Sequence, residues 1–482
     1  MKFRLLEELD ESIRDSLADN RFYGRQSWVT PARAASGDRI HDAVVVGAGQ
    51  NGLSLAYNLR LRGVRRIKVL DAQPEDRTGP WSSFARMPRL RTPKALPGPD
   101  CDNPLLRFKT WFCAAYSEAE YATFDFIPLP YWREYLSWYR RVLEIETVNG
   151  TRVDDITWDA SDQCLSVHTA GPEGRERFLA RRVCLATGIT GSGRWSVPEE
   201  LTRNLPVGTY HCAWEDIPWD TLADRDVVVI GAGASGFDNA GRAVEAGCRS
   251  ATVIGRSAFP KRDVYFELWR GRDDSEDVPE GRGTRAADLL EPLLAYHPRL
   301  ADADRLQLVT ALFEHGRSPA NPEYLSRVRH LDRIRVLEGW PIESLSHDPA
   351  TGRIQVTGQN GELSADAVIF ATGPQIGLEH REELRSLTDR ILTWGDRIPA
   401  GSDAPADLCG YPKLSPFFQL QSKDGDDTDL SRVYCLSDII HNTVGIQSSR
   451  HVVTTVADHV AASLYAEQFD DHIAFINGIV TA

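Results

Sequence analysis

Ala43-Val44-Val45-Val46-Gly47-Ala48-Gly49-Gln50-Asn51-Gly52 decides the fold. Four apolar residues read as a buried strand, and the Gly-x-Gly-x-x-Gly spacing as a tight turn opening a helix. The first glycine permits the turn and the second lets the backbone approach a pyrophosphate. The third lets the helix pack close to the strand, and the helix start offers N–H groups and partial positive charge to phosphates. The pattern recurs 184 residues later as Val227-Val228-Val229-Ile230-Gly231-Ala232-Gly233-Ala234-Ser235-Gly236. One loop is also satisfied by a strand-to-helix turn that holds nothing. Two in one chain predict two bound dinucleotides, usually held together for electron transfer. The expected fold class is α/β, with two dinucleotide-binding Rossmann-like domains.

The residues downstream of each loop separate the two ligands. The run Ile67-Lys68-Val69-Leu70 reads as a second strand ending in Asp71, 19 positions beyond Gly52. A carboxylate there accepts hydrogen bonds from a ribose diol and repels a 2′-phosphate. After the second helix, Ala251-Thr252-Val253-Ile254-Gly255 leads to Arg256, 20 positions beyond Gly236, with Ser257, Lys261 and Arg262 nearby. A guanidinium suits a ribose phosphate, although a solvated surface arginine fits the same position. The first site therefore reads as FAD and the second as NADPH.

The 482 residues are 42% hydrophobic and 26% charged, ordinary values for a globular chain with a large core. A net charge of −14 without a long basic run argues against nucleic acid as a partner. No apolar stretch approaches the roughly 18 residues of a membrane span, and Met1–Asp10 is too acidic for a secretory signal. The eight cysteines include no C-x-x-C pair, which fits a reducing cytoplasm and disfavours flavin-linked disulfide reduction. Metal-ligand spacing is absent as well.

Residues 1–40 read as an N-terminal extension. Leu5, Leu6, Leu9, Ile13 and Leu17 line a short helix that packs on the body or on a second subunit of a homo-oligomer. Tyr131, Tyr135, Trp138 and Val142 recur at helical spacing, as a core stripe or a wall of the flavin pocket. Val183-Cys184-Leu185-Ala186-Thr187-Gly188 has a near copy in Ala367-Val368-Ile369-Phe370-Ala371-Thr372-Gly373. The two copies bracket the second loop, which predicts an insertion. An FAD domain of 41–189 and 336–482 would receive an NADPH domain of 190–335, itself carrying a helix-prone excursion at 263–330. A final helix is expected from Ser448 or Ser449, with Val452, Val456, Val460 and Leu464 on one face.

Both loops, Asp71, Gly79-x-Trp81, Leu90-x-Thr92-Pro93 and the Ala-Thr-Gly segments at 186–188 and 371–373 together resemble the class B flavoprotein monooxygenases. That class holds the ornithine/lysine N-hydroxylating enzymes, the flavin-containing monooxygenases and the Baeyer–Villiger monooxygenases. The linker fingerprint F-x-G-x-x-x-H of the latter two is incomplete at Pro206–Trp214, and the turn His441-Asn442-x-x-Gly445 looks more like the N-hydroxylating branch. The resemblance implies that Gly47, Gly49, Gln50, Asn51, Gly52, Asp71, Trp81, Thr92, Ala186, Thr187 and Gly188 serve FAD, with Thr372, Gly373 and Asp438 completing the cofactor sites. Gly231, Gly233, Ser235, Gly236, Arg256 and Arg262 would serve NADPH.

The implied chemistry runs from NADPH to FAD to O₂ and then, through a C4a-(hydro)peroxyflavin, to a small soluble substrate. N-hydroxylation of an amine or amino acid leads, with sulfur or Baeyer–Villiger oxygenation as the alternative. His441 and Asn442 are the expected ring-side residues. An NADPH-dependent flavin oxidase or reductase and a non-catalytic flavoprotein remain open readings.

Overall fold

The two apolar runs become strands of two separate parallel sheets. The computed structural model describes all residues except 1–4, 21, 24–26, 95–97, 196, 259–294, 316–326, 329–330, 400, 403, 426–427, 437–448 and 482. The first sheet runs Val433–Cys435, Val183–Leu185, Ala43–Val46, Ile67–Leu70, all parallel. The second runs Tyr210–Cys212, Ala367–Phe370, Asp226–Ile230, Ser250–Ile254, Ile334–Leu337, also parallel. Strands covered on both faces have to be apolar throughout. Every residue of Ala43–Val46, Val183–Leu185 and Ala367–Phe370 is buried.

Both sheets are built on one plan: loop strand, helix, second strand, an antiparallel excursion, then the Ala-Thr-Gly strand back beside the loop strand. The excursion is Arg152–Asp159, Cys164–Gly171 and Gly174–Ala180 in the first. It is Ile342–Asp348, Arg353–Gly358 and Gly361–Ala365 in the second. One expectation is corrected here. The second Ala-Thr-Gly segment does not mark a return to the first unit at 336. Ala367–Phe370 pairs with Asp226–Ile230, and Val368 and Phe370 share an apolar cluster with Val228 and Ile230. An Ala-Thr-Gly strand closes its own sheet, so a second copy signals a second sheet. The chain rejoins the first sheet only at Val433–Cys435.

The N-terminal helix Leu6–Asp19 packs on the body of the same chain, with Leu9, Ile13 and Leu17 in the first core and Leu5 exposed. Arg39–His41 joins the antiparallel excursion by pairing with Leu179 and Ala180. The aromatic stripe is core: Tyr135, Trp138 and Val142 are buried along the helix Leu129–Val142. Its polar tips find partners, since the Tyr135 hydroxyl donates to the Leu106 carbonyl at 2.7 Å and Trp138 Nε1 to Asp10 at 2.6 Å.

Of the 263–330 excursion, the helix Asp302–His315 places Val309 in a small cluster with Trp394, Leu408 and Tyr411. The expected C-terminal helix spans Ser449–Glu467 and buries Val452, Val456, Val460 and Leu464. It lies against the helix of the first loop, where Arg62 pairs with Asp458 at 2.5 Å. The eight cysteines are all free thiols. Among the described residues no His/Cys/Asp/Glu group could hold a metal ion, and no helix is long and apolar enough to cross a membrane.

Candidate dinucleotide sites

Each loop is a backbone cradle that a side chain would fill. Gly47 has φ 106°, and a Cβ there would lie 2.4 Å from the Ala186 carbonyl oxygen. A Cβ on Gly52 would lie 1.8 Å from the Gly47 carbonyl oxygen. The second loop repeats this contact for contact. Gly231 has φ 115° and would meet the Ala371 carbonyl at 2.3 Å, and Gly236 would meet the Gly231 carbonyl at 1.8 Å. The Ala-Thr-Gly segments therefore form the second wall of each turn. Ala186 N–H donates to Val46 at 2.8 Å and Ala371 N–H to Ile230 at 2.7 Å.

Beyond the turns stand two 12-residue helices, Gln50–Leu61 and Ala234–Glu245, whose N-cap residues Gly49 and Gly233 provide no capping side chain. Those starts offer backbone N–H groups and the positive end of the helix dipole. A Cβ on Gly49 would meet nothing nearer than the Gly79 Cα at 3.8 Å, which leaves the approach to the helix start open. Close backbone approach plus an uncapped helix start fits a dinucleotide pyrophosphate in both places.

The electrostatics then diverge. Asp71 is buried at the end of its strand. Its carboxylate accepts from Ala48 N–H at 2.7 Å and Gln73 N–H at 2.8 Å. Burial raises its pKa against the pull of those two donors. Register identifies the equivalent position in the second unit. Gly47 N–H donates to Leu70 and Gly231 N–H to Ile254, so Asp71 corresponds to Gly255. Gly255 is held by Leu337 and Trp340 through its backbone and presents no carboxylate. The next residue, Arg256, is exposed.

The other expected residues spread over both units. Gln50 and Asn51 open the helix of the first loop, Gln50 buried and Asn51 half-buried. Gly188 and Gly373 turn at φ 66° and 84° after their strands; Thr187 is half-buried and Thr372 exposed. Ser235 sits on the first turn of its helix, where its carbonyl and hydroxyl receive Asn239 Nδ2 at 2.8 and 3.3 Å. Trp81 lies in the short turn Pro80–Ser82, its carbonyl accepting from Arg133 Nε at 2.5 Å. Thr92 belongs to the strand Arg89–Pro93. Arg262, Asp438, His441 and Asn442 lie outside the described residues. So the structure groups Gly47, Gly49, Gly52, Asp71 and Ala186 at one cradle and Gly231, Gly233, Gly236 and Ala371 at the other.

Sequence patterns do not reveal one further cluster of three residues. Asp238 is buried on the second loop's helix between Arg91 Nη2 at 3.4 Å and Arg327 Nη1 at 3.3 Å. Burial pushes its carboxyl up to about 6 despite both arginines. No motif marks this cluster, because its members come from three distant stretches.

Residues 44–190 match a protein family described as FAD-NAD(P)-binding. Over 425 residues, 88% of this chain and 84% of the relative, the sequence is 32% identical to the FAD-dependent urate hydroxylase of Xanthomonas campestris pv. campestris. Among solved structures, the ornithine hydroxylase of Pseudomonas aeruginosa superposes with a TM-score of 0.62 at 16% identity, covering 89% of this chain and 99% of that one. The L-lysine 6-monooxygenase of Pseudomonas syringae gives 0.62 at 16% identity, covering 88% and 99%. The flavin-containing monooxygenase of Stenotrophomonas maltophilia gives 0.52 at 19% identity, covering 88% and 98%. The chain belongs to the family of the FAD-dependent urate hydroxylase and is an FAD- and NAD(P)-binding oxidoreductase.

Proposed function

We propose that this chain is an NADPH-dependent monooxygenase that places one oxygen atom of O₂ on a small planar nitrogen heterocycle of the urate type. The observation that carries the reading is the pair of matched glycine cradles with opposite chemistry after the second strand. FAD sits on the loop backed by Asp71, whose carboxylate is already fixed by two backbone donors and has lone pairs left for ribose hydroxyls. NADPH sits on the loop where Gly255 removes the carboxylate and Arg256 supplies a guanidinium. The NADPH unit is inserted in the FAD unit and extends from about 190 through Gly373 rather than ending at 335.

Bound FAD supplies the redox centre that takes a hydride and activates O₂. The chain's own part is to bind and orient. The Gly47 and Gly231 turns fix each pyrophosphate against a helix start, and the two Ala-Thr-Gly walls hold the turns rigid. The heterocycle assignment rests on the 32% identity to the urate hydroxylase across most of both chains. Amine N-hydroxylation is kept as the second reading, on the His441-Asn442-x-x-Gly445 turn of the sequence.

Steady-state NADPH oxidation, O₂ uptake and product mass with urate, ornithine and lysine test the assignment. Urate-dependent turnover with one oxygen gained by a purine-derived product is expected. An N-hydroxylated amino acid would move the assignment to the second reading. Full conversion of NADPH equivalents into peroxide whatever is added would leave an oxidase.

A further inference from the structure

The stretch from Arg77 to Arg91 runs from the first cradle to the helix that follows the second. Near its start, the Gly79 Cα faces the Gly49 position of the first loop. Downstream it turns to the second unit. Phe84 packs on Trp214 with ring centroids 4.1 Å apart, and Arg86 Nη2 donates to the Glu215 carbonyl at 2.8 Å. Met87 contributes to the apolar cluster around Phe237 and Val328. Arg91 reaches Asp238, the residue after Phe237 on the helix that opens at the second loop.

Arg327 closes the arrangement from a third stretch. It pairs with Asp238, donates to the Arg86 carbonyl at 3.3 Å, and makes two bonds to Glu245 at 3.0 and 2.7 Å on the same helix. Gly241 leaves room for its guanidinium across that helix: a Cβ there would sit 2.7 Å from Arg327 Cζ. The Asp238 side chain is 5% exposed and the Arg327 side chain 12%. Such a site is held together by pairing, because a buried charge without partners is strongly disfavoured.

We infer that Asp238 is a positioning residue for hydride transfer, clamped by Arg91 and Arg327 so that the second phosphate loop is locked at a fixed place relative to the first. This rests on the reading of the loops as FAD and NADPH sites. It adds that the two are set in register by the 77–91 segment acting through one buried carboxylate. Asp238 does not bind nucleotide; it holds the helix that does. Small misplacements of two reacting rings cost rate far more than affinity.

The test compares wild-type holoenzyme with Asp238→Asn, Arg91→Ala and Arg91→Lys. Anaerobic stopped flow reads the limiting rate of flavin bleaching by NADPH and the NADPH dissociation constant. Asp238→Asn and Arg91→Ala are expected to slow bleaching about tenfold or more, with NADPH affinity within about threefold, and Arg91→Lys to recover most of the rate. Reaction of dithionite-reduced enzyme with O₂ should be unchanged. In the apoprotein, Asp238→Asn should raise amide exchange in Ala234–Glu245 and in Arg86–Arg91 together. Should Asp238→Asn not fold, the two Arg91 variants carry the comparison. Wild-type bleaching rates in the folded variants, or exchange raised only in the helix, would overturn the positioning role alone. Wild-type flavin that NADPH cannot bleach would overturn the loop assignment and this role with it.

Discussion

The two glycine loops share one steric design and part company one residue past the second strand of each unit. Gly52 and Gly236 face the carbonyls of Gly47 and Gly231 at the same 1.8 Å from a built Cβ. Each turn leans on the Ala-Thr-Gly strand of its own sheet. Yet the register that puts Asp71 in the first puts Gly255 in the second, with the exposed Arg256 behind it. On the proposed reading, the phosphate cradle is generic backbone chemistry, and one or two side chains at a strand end set the identity of the dinucleotide.

That contrast breaks most severely at the glycines. Gly52→Ala forces a methyl into a carbonyl and should cost roughly 3 kcal/mol or more, about a hundredfold or more in FAD affinity. The purified variant should be colourless by absorbance. Gly236→Ala, with the same clash in the other loop, should leave a yellow protein whose flavin NADPH no longer bleaches.

The strand-end residues should give the next largest effects. Arg256→Ala removes a charge-assisted hydrogen bond of about 1.5–3 kcal/mol, which weakens NADPH roughly ten- to a hundredfold. NADH binding should be unchanged by fluorescence titration. Gly255→Asp transplants the first site's carboxylate into the second. It should weaken NADPH by about tenfold through repulsion of the 2′-phosphate while sparing NADH.

The smallest effect is a slope. Burial raises the Asp71 pKa above its ordinary 3.8. A carboxyl whose folded pKa is raised contributes stability that is fully present below the unfolded value and lost as pH rises through the folded value. Apoprotein unfolding measured across that range should therefore show the wild type losing stability relative to Asp71→Asn as pH climbs. The second loop has glycine at this place, so Gly255→Ala should leave the slope as it is in the wild type.

Much of the fold was legible in the chain because the decisive features are local. The Gly-x-Gly-x-x-Gly loops, their apolar strands and the C-terminal valine stripe each lie within 20 residues, and each appears where spacing put it. The unit boundary at 335 failed for a different reason. Ala367-Val368-Ile369-Phe370 reads equally well beside either loop strand, and only pairing with Asp226–Ile230 assigns it. The equivalence of Asp71 with Gly255 agrees with counting 19 residues from the last glycine of each loop, and the register fixes it; Arg256 stands one place further on. Asp238 was invisible because an acidic residue on a helix reads as solvent-facing until Arg91 and Arg327 are seen around it.

The most direct measurement is an anaerobic titration of purified protein with NADPH and, separately, NADH, monitored by flavin absorbance. One tightly held FAD per chain, bleached by one equivalent of NADPH and far more slowly by NADH, is the expected result. Protein that stays colourless after reconstitution with FAD, or flavin bleached equally well by both nucleotides, would contradict the division of labour between the two loops.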